Sequence, residues 1–215
     1  MILTVPRGIA VSILGAVDYD TALTLQREAH ERVLAGTSPG TVFLLEHDPP
    51  VITQGRRAGA AGLLVPEEAL APRGYQLRHA GRGGDITVHE PGQVVVYFVL
   101  PVQSKSAAPF VKGILGLMAA FLEDEYGIAA RYDAARPGLW AGNEKLCAAG
   151  VDLSGGVSMH GIAVNVSNSM EGFSLIVPCG MEGAGVTSVS ALLGRRVDAG
   201  AFMEKFAARL RALAG

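Results

Sequence analysis

Between Tyr19 and Gly36 apolar residues return at Ala22, Leu25, Ala29 and Val33. Steps of three and four place them on one face of a helix, and Gly36 supplies its stop. Phe110, Ile114, Leu117 and Phe121 line a second helix that ends at Gly127. Phe202, Phe206, Leu210 and Leu213 line a third, with Asp198 as its N-cap.

Elsewhere the pattern shortens to apolar runs of strand length. GIAVSILGAV (residues 8–17) reads as a first strand, and TVFLLEH (residues 41–47) as another, closed by Asp48-Pro49-Pro50. VVVYFVLPV (residues 94–102) is apolar at odd and even positions alike, the mark of a strand covered on both faces. Leu146 to Leu153 and Val157 to Val166 form a pair of strands around the turn Ser154-Gly155-Gly156. Strands and helices mix without strict βαβ alternation, and no repeat, low-complexity tract or linker interrupts them. The expected fold is α/β (α+β): a single domain over residues 1–215, with a mixed β-sheet flanked by helices.

At 215 residues and 49% hydrophobic, the chain has ample material for a core. Eighteen basic residues against twenty acidic ones give a net charge of −2. That balance carries no footprint for nucleic acid and no polybasic patch for a membrane surface, so a macromolecular partner is expected to be recognised locally. Arg7 and the apolar run after it imitate the start of a signal peptide. The run is short, however, Asp18 and Asp20 follow, and no small-residue cleavage site is present. The longest apolar stretch, residues 94–102, falls well short of the ~20 residues of a membrane span. Two cysteines make no disulfide framework, and neither C-x-x-C nor H-x-x-x-H occurs, so no metal is expected. A reducing, cytoplasmic setting fits.

Four stretches carry candidate chemistry. In AGRGGDITVHEPGQ (residues 80–93) a glycine turn beside Arg82 reads either as an anion-binding nest or as a plain tight turn. It lacks the Gly-Lys-Ser/Thr of a P-loop and the spacing of a dinucleotide fingerprint. His89, before the Pro-Gly break, is a general base, a binding donor, or a locally satisfied histidine. In GLWAGNEKLCAAGVDL (residues 138–153), Lys145 is one of four lysines against fourteen arginines and precedes a small-residue strand. Lysine, unlike arginine, can give up its proton when desolvated. In SMHGIAVNVSN (residues 158–168), the small residues Gly161 and Ala163 leave room for a flat ligand or an acyl chain. In SLIVPCGMEGAGVTS (residues 174–188), Cys179 stands in a Pro-Cys-Gly turn. It reads as a small core residue, half of a disulfide, a metal ligand or a nucleophile.

Taken together and in order, EHDPPVITQGRRA, RGGDITVHEPGQVVVYFVL, GLWAGNEKLCAAGV, MHGIAVNV and FSLIVPCGMEGAGVTSVSALLG resemble the lipoyl(octanoyl) transferases of the biotin/lipoate protein ligase superfamily. The resemblance implies that an octanoyl group passes from acyl carrier protein, through a cysteine thioester, to a specific lysine of lipoyl domains. Those domains belong to 2-oxoacid dehydrogenases and to the glycine cleavage H protein. It assigns the nucleophile to Cys179 and its paired lysine to Lys145. Substrate-lining positions fall on Arg82, Gly83, Gly84, Asp85, Ile86, Thr87, Val88 and His89, on Ala148, Ala149 and Gly150, and on Gly161, Ile162 and Ala163. No cofactor or metal is implied, and a monomer is expected. Backbone N–H groups near Cys179 or in the Gly83-Gly84 turn are candidate oxyanion donors. An ATP-dependent lipoate ligase of the same superfamily, a thiol hydrolase using His89 or His160, and a non-catalytic binding module are the competing readings.

Three positions depart from the family pattern. Val88 stands where an aromatic residue is frequent, which is expected to change how the acyl or pantetheine group packs. Glu90 stands where a small residue is common, and is expected to add a charge near the mouth. Cys147 stands where alanine or serine is usual, and it is expected near Cys179, where the two thiols could close into a disulfide that silences the enzyme.

Overall fold

The computed structural model describes residues 5–59, 62–104, 106–177 and 185–215. In chain order the elements are β1 (Ala10–Val17), α1 (Tyr19–Leu34), β2 (Thr41–His47), β3 (Val51–Gln54), β4 (Gln76–His79), β5 (Ile86–His89), β6 (Gln93–Val99), α2 (Ala107–Tyr126), β7 (Arg131–Tyr132), β8 (Gly138–Ala141), β9 (Glu144–Ser154), β10 (Val157–Asn165), β11 (Gly185–Val186), α3 (Val189–Leu193) and α4 (Ala199–Ala214).

The helix ends are written in the sequence. Asp18 caps α1 by accepting the Thr21 N–H at 2.9 Å, and Asp198 caps α4 through Ala201 N–H at 2.8 Å. Gly127 ends α2 in the left-handed region, at φ 66°, where glycine carries no steric penalty. Two helix faces differ in detail from the sequence pattern. In α2 the buried stripe runs through Leu115 and Met118, while Leu117 is half-buried. In α4, Leu213 is exposed and Ala214 takes the buried position, its carbonyl accepting the Gly8 N–H at 2.9 Å.

Among the described residues an eight-stranded mixed sheet runs β1-β2-β6-β10-β9-β8-β7, with β11 pairing β9, and a three-stranded sheet runs β4-β3-β5. β9 and β10 form a hairpin closed by Gly155 and Gly156, both at positive φ as a tight primed turn demands. Strand alternation divides the core in two. Val94, Val96, Phe98, Ile162 and Val164 face α2 and α4, where Phe121, Phe202 and Phe206 meet edge to face at 4.9–5.2 Å. Val95, Tyr97, Phe43, Leu45 and Ala163 face Ala22, Ala29 and Val33 of α1. The apolar run of β6 is thus explained: all seven residues, Gln93 to Val99, are covered by one layer or the other. The small sheet packs its own cluster, Ile52, Ile86, Val88 and Leu70 with Leu175 and Ile176.

Candidate active site

The small sheet covers the α1-side face of the large sheet and leaves a cleft of about 800 Å³, its open mouth included. Val95 and Tyr97 of β6, Gly161 and Ala163 of β10, and Ala148 and Gly150 of β9 form one wall; Thr53, Ile86, Thr87 and His89 form the other. Small residues on β9 and β10 are what keep the space open, since Ala148 pairs Ala163 and Gly150 pairs Gly161 across the ladder.

Lys145 reaches this cleft through a β-bulge. By simple alternation it would share the face of Cys147 and Val151, which pack in the helix-side core. The pairing of β8 with β9 goes from Leu139–Cys147 to Trp140–Lys145, so one β9 residue, Leu146, is extra. That insertion reverses parity. Leu146 and Cys147 both enter the core, and Lys145 lines the cleft with Ala148. Trp140 and, on β11, Val186 pair with Lys145 on either side. Its Cε fits against Gly138, where a Cβ would come within 2.8 Å of it. Its Nζ lies 5.2 Å from the Trp140 ring centroid. Only 6% of Lys145 is exposed.

Arg82 also lines the cleft and is buried. Its guanidinium donates to the Thr53 carbonyl and hydroxyl, both at 2.7 Å, and to the Asp85 carbonyl at 2.8 Å. It therefore clasps the glycine turn to β3. Of the substrate-lining positions implied by the family resemblance, Arg82, Gly84 to Thr87, His89, Ala148 to Gly150 and Gly161 to Ala163 converge on the cleft. Ala149 and Ile162 touch it although alternation assigns them to the helix-side core. Two positions do not converge. Gly83 lies under the turn, with its N–H donated to the Val151 carbonyl at 3.0 Å, so it is no oxyanion donor. Val88 points into the small-sheet cluster, on the opposite side of β5 from Thr87 and His89, and packs nothing in the cleft.

The histidines of this region are held neutral. His47 Nε2 lies 2.7 Å from the Tyr97 hydroxyl and its Nδ1 3.1 Å from the Val17 carbonyl; burial lowers its pKa to about 4. His160 is likewise lowered to about 4, first by burial and then by Arg82. Its backbone adopts φ 61° within β10, and its N–H turns out of the ladder to Gln26 Oε1 at 2.8 Å. Burial lowers His89 well below the usual imidazole range, and its Nδ1 lies 2.8 Å from Gln93 Oε1.

Cys179 lies outside the described residues. Cys147 does not line the cleft. It is packed in the helix-side core and its thiol donates to the Ala148 carbonyl at 3.4 Å. Burial pushes that thiol up to about 12, against a smaller opposing effect of Lys145. Cys147 keeps the core-facing parity of Val151, and the bulge beyond it sends Lys145 to the cleft instead. Glu90, expected at the mouth, is buried instead. Its carboxylate accepts from Tyr75 Oη (3.0 Å), Asn168 Nδ2 (3.0 Å), Met170 N (2.6 Å) and Gly172 N (3.3 Å), and so ties down the turn that brings Phe173 to the cleft.

Sequence reasoning missed Tyr19, Thr53, Gln93, Tyr97, Asn165 and Phe173, all of which line the cleft. Gln93 and Tyr97 left a signal: they are polar groups at the cleft-facing parity of an otherwise apolar buried strand. Gln93 Nε2 donates to Asn165 Oδ1 at 2.9 Å, and Asn165 Nδ2 to the Thr187 carbonyl at 3.0 Å, joining β6, β10 and the segment after β11.

A mixed sheet with a lysine and small-residue strands lining a cleft beneath a second sheet defines a class. Residues 18–211 match the lipoyl protein ligase A/B catalytic domain, and the chain belongs to that family. Within it the chain is 41% identical over 191 residues to an octanoyltransferase of Caldicellulosiruptor saccharolyticus, covering 87% of this chain and 81% of the relative. It is 39% identical over 187 residues to an octanoyltransferase of Alkaliphilus metalliredigens, covering 86% and 85%. This kinship makes it an acyltransferase of protein lipoylation. In fold it is similar to a bipartite lipoate protein ligase of Thermoplasma acidophilum, with a TM-score of 0.70 at 14% identity over 97% of this chain and 84% of that one. No helix among the described residues is long and apolar enough to cross a membrane, and no group of three or more metal-ligating side chains occurs among them.

Proposed function

We propose that residues 1–215 act as one catalytic domain that carries an octanoyl group from acyl carrier protein to a lysine of a lipoyl domain, by way of a thioester on Cys179. The observation that carries this reading is the seating of Lys145 in the wall of an apolar cleft, next to the small-residue floor of β9 and β10. The acceptors are the lipoyl domains of 2-oxoacid dehydrogenases and of the glycine cleavage H protein.

A free thiol is only a few per cent thiolate near pH 7, and an adjacent ammonium raises that fraction. The Cys179 thiolate attacks the carbonyl carbon of the octanoyl thioester. The carbon–sulfur bond to pantetheine breaks, and Lys145 gives the departing sulfur its proton. Neutral Lys145 then takes a proton from the acceptor ammonium, and the freed amine attacks the acyl-enzyme. The tetrahedral adduct sheds the amine's second proton to solvent, an amide forms, and the carbon–sulfur bond breaks to return the Cys179 thiolate beside a recharged Lys145. One thioester replaces another in the first step, so the covalent intermediate lies near its reactant in energy. The net reaction exchanges a thioester for an amide and calls for no nucleotide or metal.

The test is octanoylation of an isolated lipoyl domain from octanoyl carrier protein, followed by mass spectrometry. Wild type should add one octanoyl group to the domain without ATP. Lys145→Ala should bind donor and lose rate by orders of magnitude. Transfer from free octanoate that requires ATP and releases pyrophosphate would instead make the chain a ligase.

A further inference from the structure

A second hollow adjoins the Lys145 end of the cleft. It encloses about 1000 Å³, its open mouth included, and Arg131, Asp133, Arg136 and Trp140 are among its walls. Trp140 and the Arg136-Pro137 step divide it from the cleft. The Trp140 ring lies 5.2 Å from Lys145 Nζ, and Pro137, next in sequence to Arg136, lines the cleft itself.

The sheet explains why these side chains gather. Trp140 pairs Lys145 across one ladder and Arg131 across the next. Residues directly opposite each other in antiparallel strands share a face, and the adjacent pair, Leu139 and Tyr132, packs in the helix-side core. Lys145, Trp140 and Arg131 therefore form one row on the cleft side, running from β9 out to β7 at the sheet edge. Two strand spacings make that row about 10 Å long between backbones.

The charges of the hollow favour an anion. Arg131 is exposed, and none of the ion pairs among the described residues uses it. Arg136 lies over the Trp140 ring, 4.1 Å from its centroid, and its Nε donates to Asp133 at 2.8 Å. Asp133 is the one acidic side chain among the described residues lining the hollow, and its pairing with Arg136 leaves Arg131 as the surplus charge. With its Nε edge held by Asp133, Arg136 keeps donor capacity on its terminal nitrogens, where the described contact is a long one of 3.4 Å to Asn143 Oδ1. Two arginine forks match the oxygens of a phosphate.

We propose that this hollow seats the phosphate of a phosphopantetheine arm, held by Arg131 and Arg136, while the thioester at the other end of the arm lies at Lys145. This rests on the proposed octanoyl transfer, which brings the donor thioester to Lys145. The arm fits the row. Its sulfur and phosphorus are joined through about thirteen bonds, a reach of about 15 Å when extended, taking roughly 3.5 Å for every three bonds. The three-residue row, with a long arginine side chain at its outer end, covers that range. Carrier protein and coenzyme A present the same arm, so the site reads the arm rather than its bearer.

The experiment uses the full chain, an isolated lipoyl domain as acceptor, and two small donors in direct competition, octanoyl-pantetheine and octanoyl-phosphopantetheine. Wild type should favour the phosphorylated donor at least threefold in kcat/KM. Arg131→Gln combined with Arg136→Gln should lower that preference to less than half. The ratio is read within one sample, so a loss of folded enzyme does not alter it. If the double variant does not fold, Arg131→Gln alone, at an exposed edge position, decides by the same criterion. A wild-type preference below threefold, or one kept above half in the variant, overturns the phosphate site. Octanoyl carrier protein and octanoyl coenzyme A separate the sources, and the variant should lose efficiency with both relative to octanoyl-pantetheine. A loss confined to the carrier protein would put the arginines against the carrier's own surface, and a loss confined to coenzyme A would put them against its nucleotide; either overturns the proposal while leaving octanoyl transfer intact. No transfer by wild type from any octanoyl thioester overturns the underlying function.

Discussion

The Trp140 indole receives two cations: the Arg136 guanidinium 4.1 Å from its ring centroid and Lys145 Nζ at 5.2 Å. The indole N–H is tied to the Arg136 carbonyl at 2.9 Å, so the ring is fixed, and the lysine held against it is fixed with it. A cation over an aromatic face gains about 0.5–2 kcal/mol, more as it is desolvated. Trp140→Leu removes that face and is expected to slow octanoyl transfer about two- to thirty-fold with little change in KM. Trp140→Phe should recover most of the rate. A rise in KM with kcat unchanged would place Trp140 in donor binding instead.

Glu90 anchors a segment rather than the mouth. With four donors converging on one buried carboxylate, Glu90→Ala should destabilise the protein by about 2–4 kcal/mol, since two backbone N–H groups and the Tyr75 and Asn168 donors lose their acceptor. Urea denaturation measures this. A midpoint matching wild type would contradict the network.

The buried histidines set an acid limit. His47 and His160 titrate at about 4 in the folded protein, below the ordinary 6.5. Below 6.5 the unfolded chain takes up protons that the folded one refuses, so stability is full above that pH and falls as pH drops toward 4. Each histidine contributes up to about 3 kcal/mol to that loss. Denaturation at pH 7.5 and pH 4.5 should show a marked fall at the lower pH, and equal stability would rule out burial of neutral imidazoles.

Cys147 is inert by its position. With its thiol pushed up to about 12 and closed into the core, native protein treated with N-ethylmaleimide at pH 7.5 should take the label at Cys179 alone. Unfolded protein should take two. The same geometry opposes the disulfide expected from sequence: activity should be recovered after oxidant without any Cys147–Cys179 peptide in the digest. Rapid native labelling of Cys147 would show that its thiol is not closed into the core.

What the sequence disclosed and what it hid follow the range of each interaction. The cap at Asp198, the stop at Gly127 and the Gly155-Gly156 hairpin are decided within a few residues, and all were legible; the Asp18 cap is equally local and was passed over. The placing of Lys145 was not, because a one-residue bulge inverts the alternation from which its face would be read. Val88 and Gly83 were assigned to the cleft as parts of a contiguous motif, but a strand sends neighbouring side chains to opposite faces and a turn hides some of its N–H groups. Tyr19 escaped notice because it opens a helix whose apolar stripe fully explains its burial. Only the tertiary packing brings it to the cleft.

The central claim is that Cys179 carries the acyl group. Intact-mass spectrometry of wild-type protein mixed with octanoyl carrier protein, without acceptor, tests it most directly. The account predicts a gain of one octanoyl group, mapped by digestion to Cys179, that disappears when a lipoyl domain is added. Octanoylation of the lipoyl domain with no adduct ever detected on Cys179, and at an undiminished rate in Cys179→Ala, would contradict it.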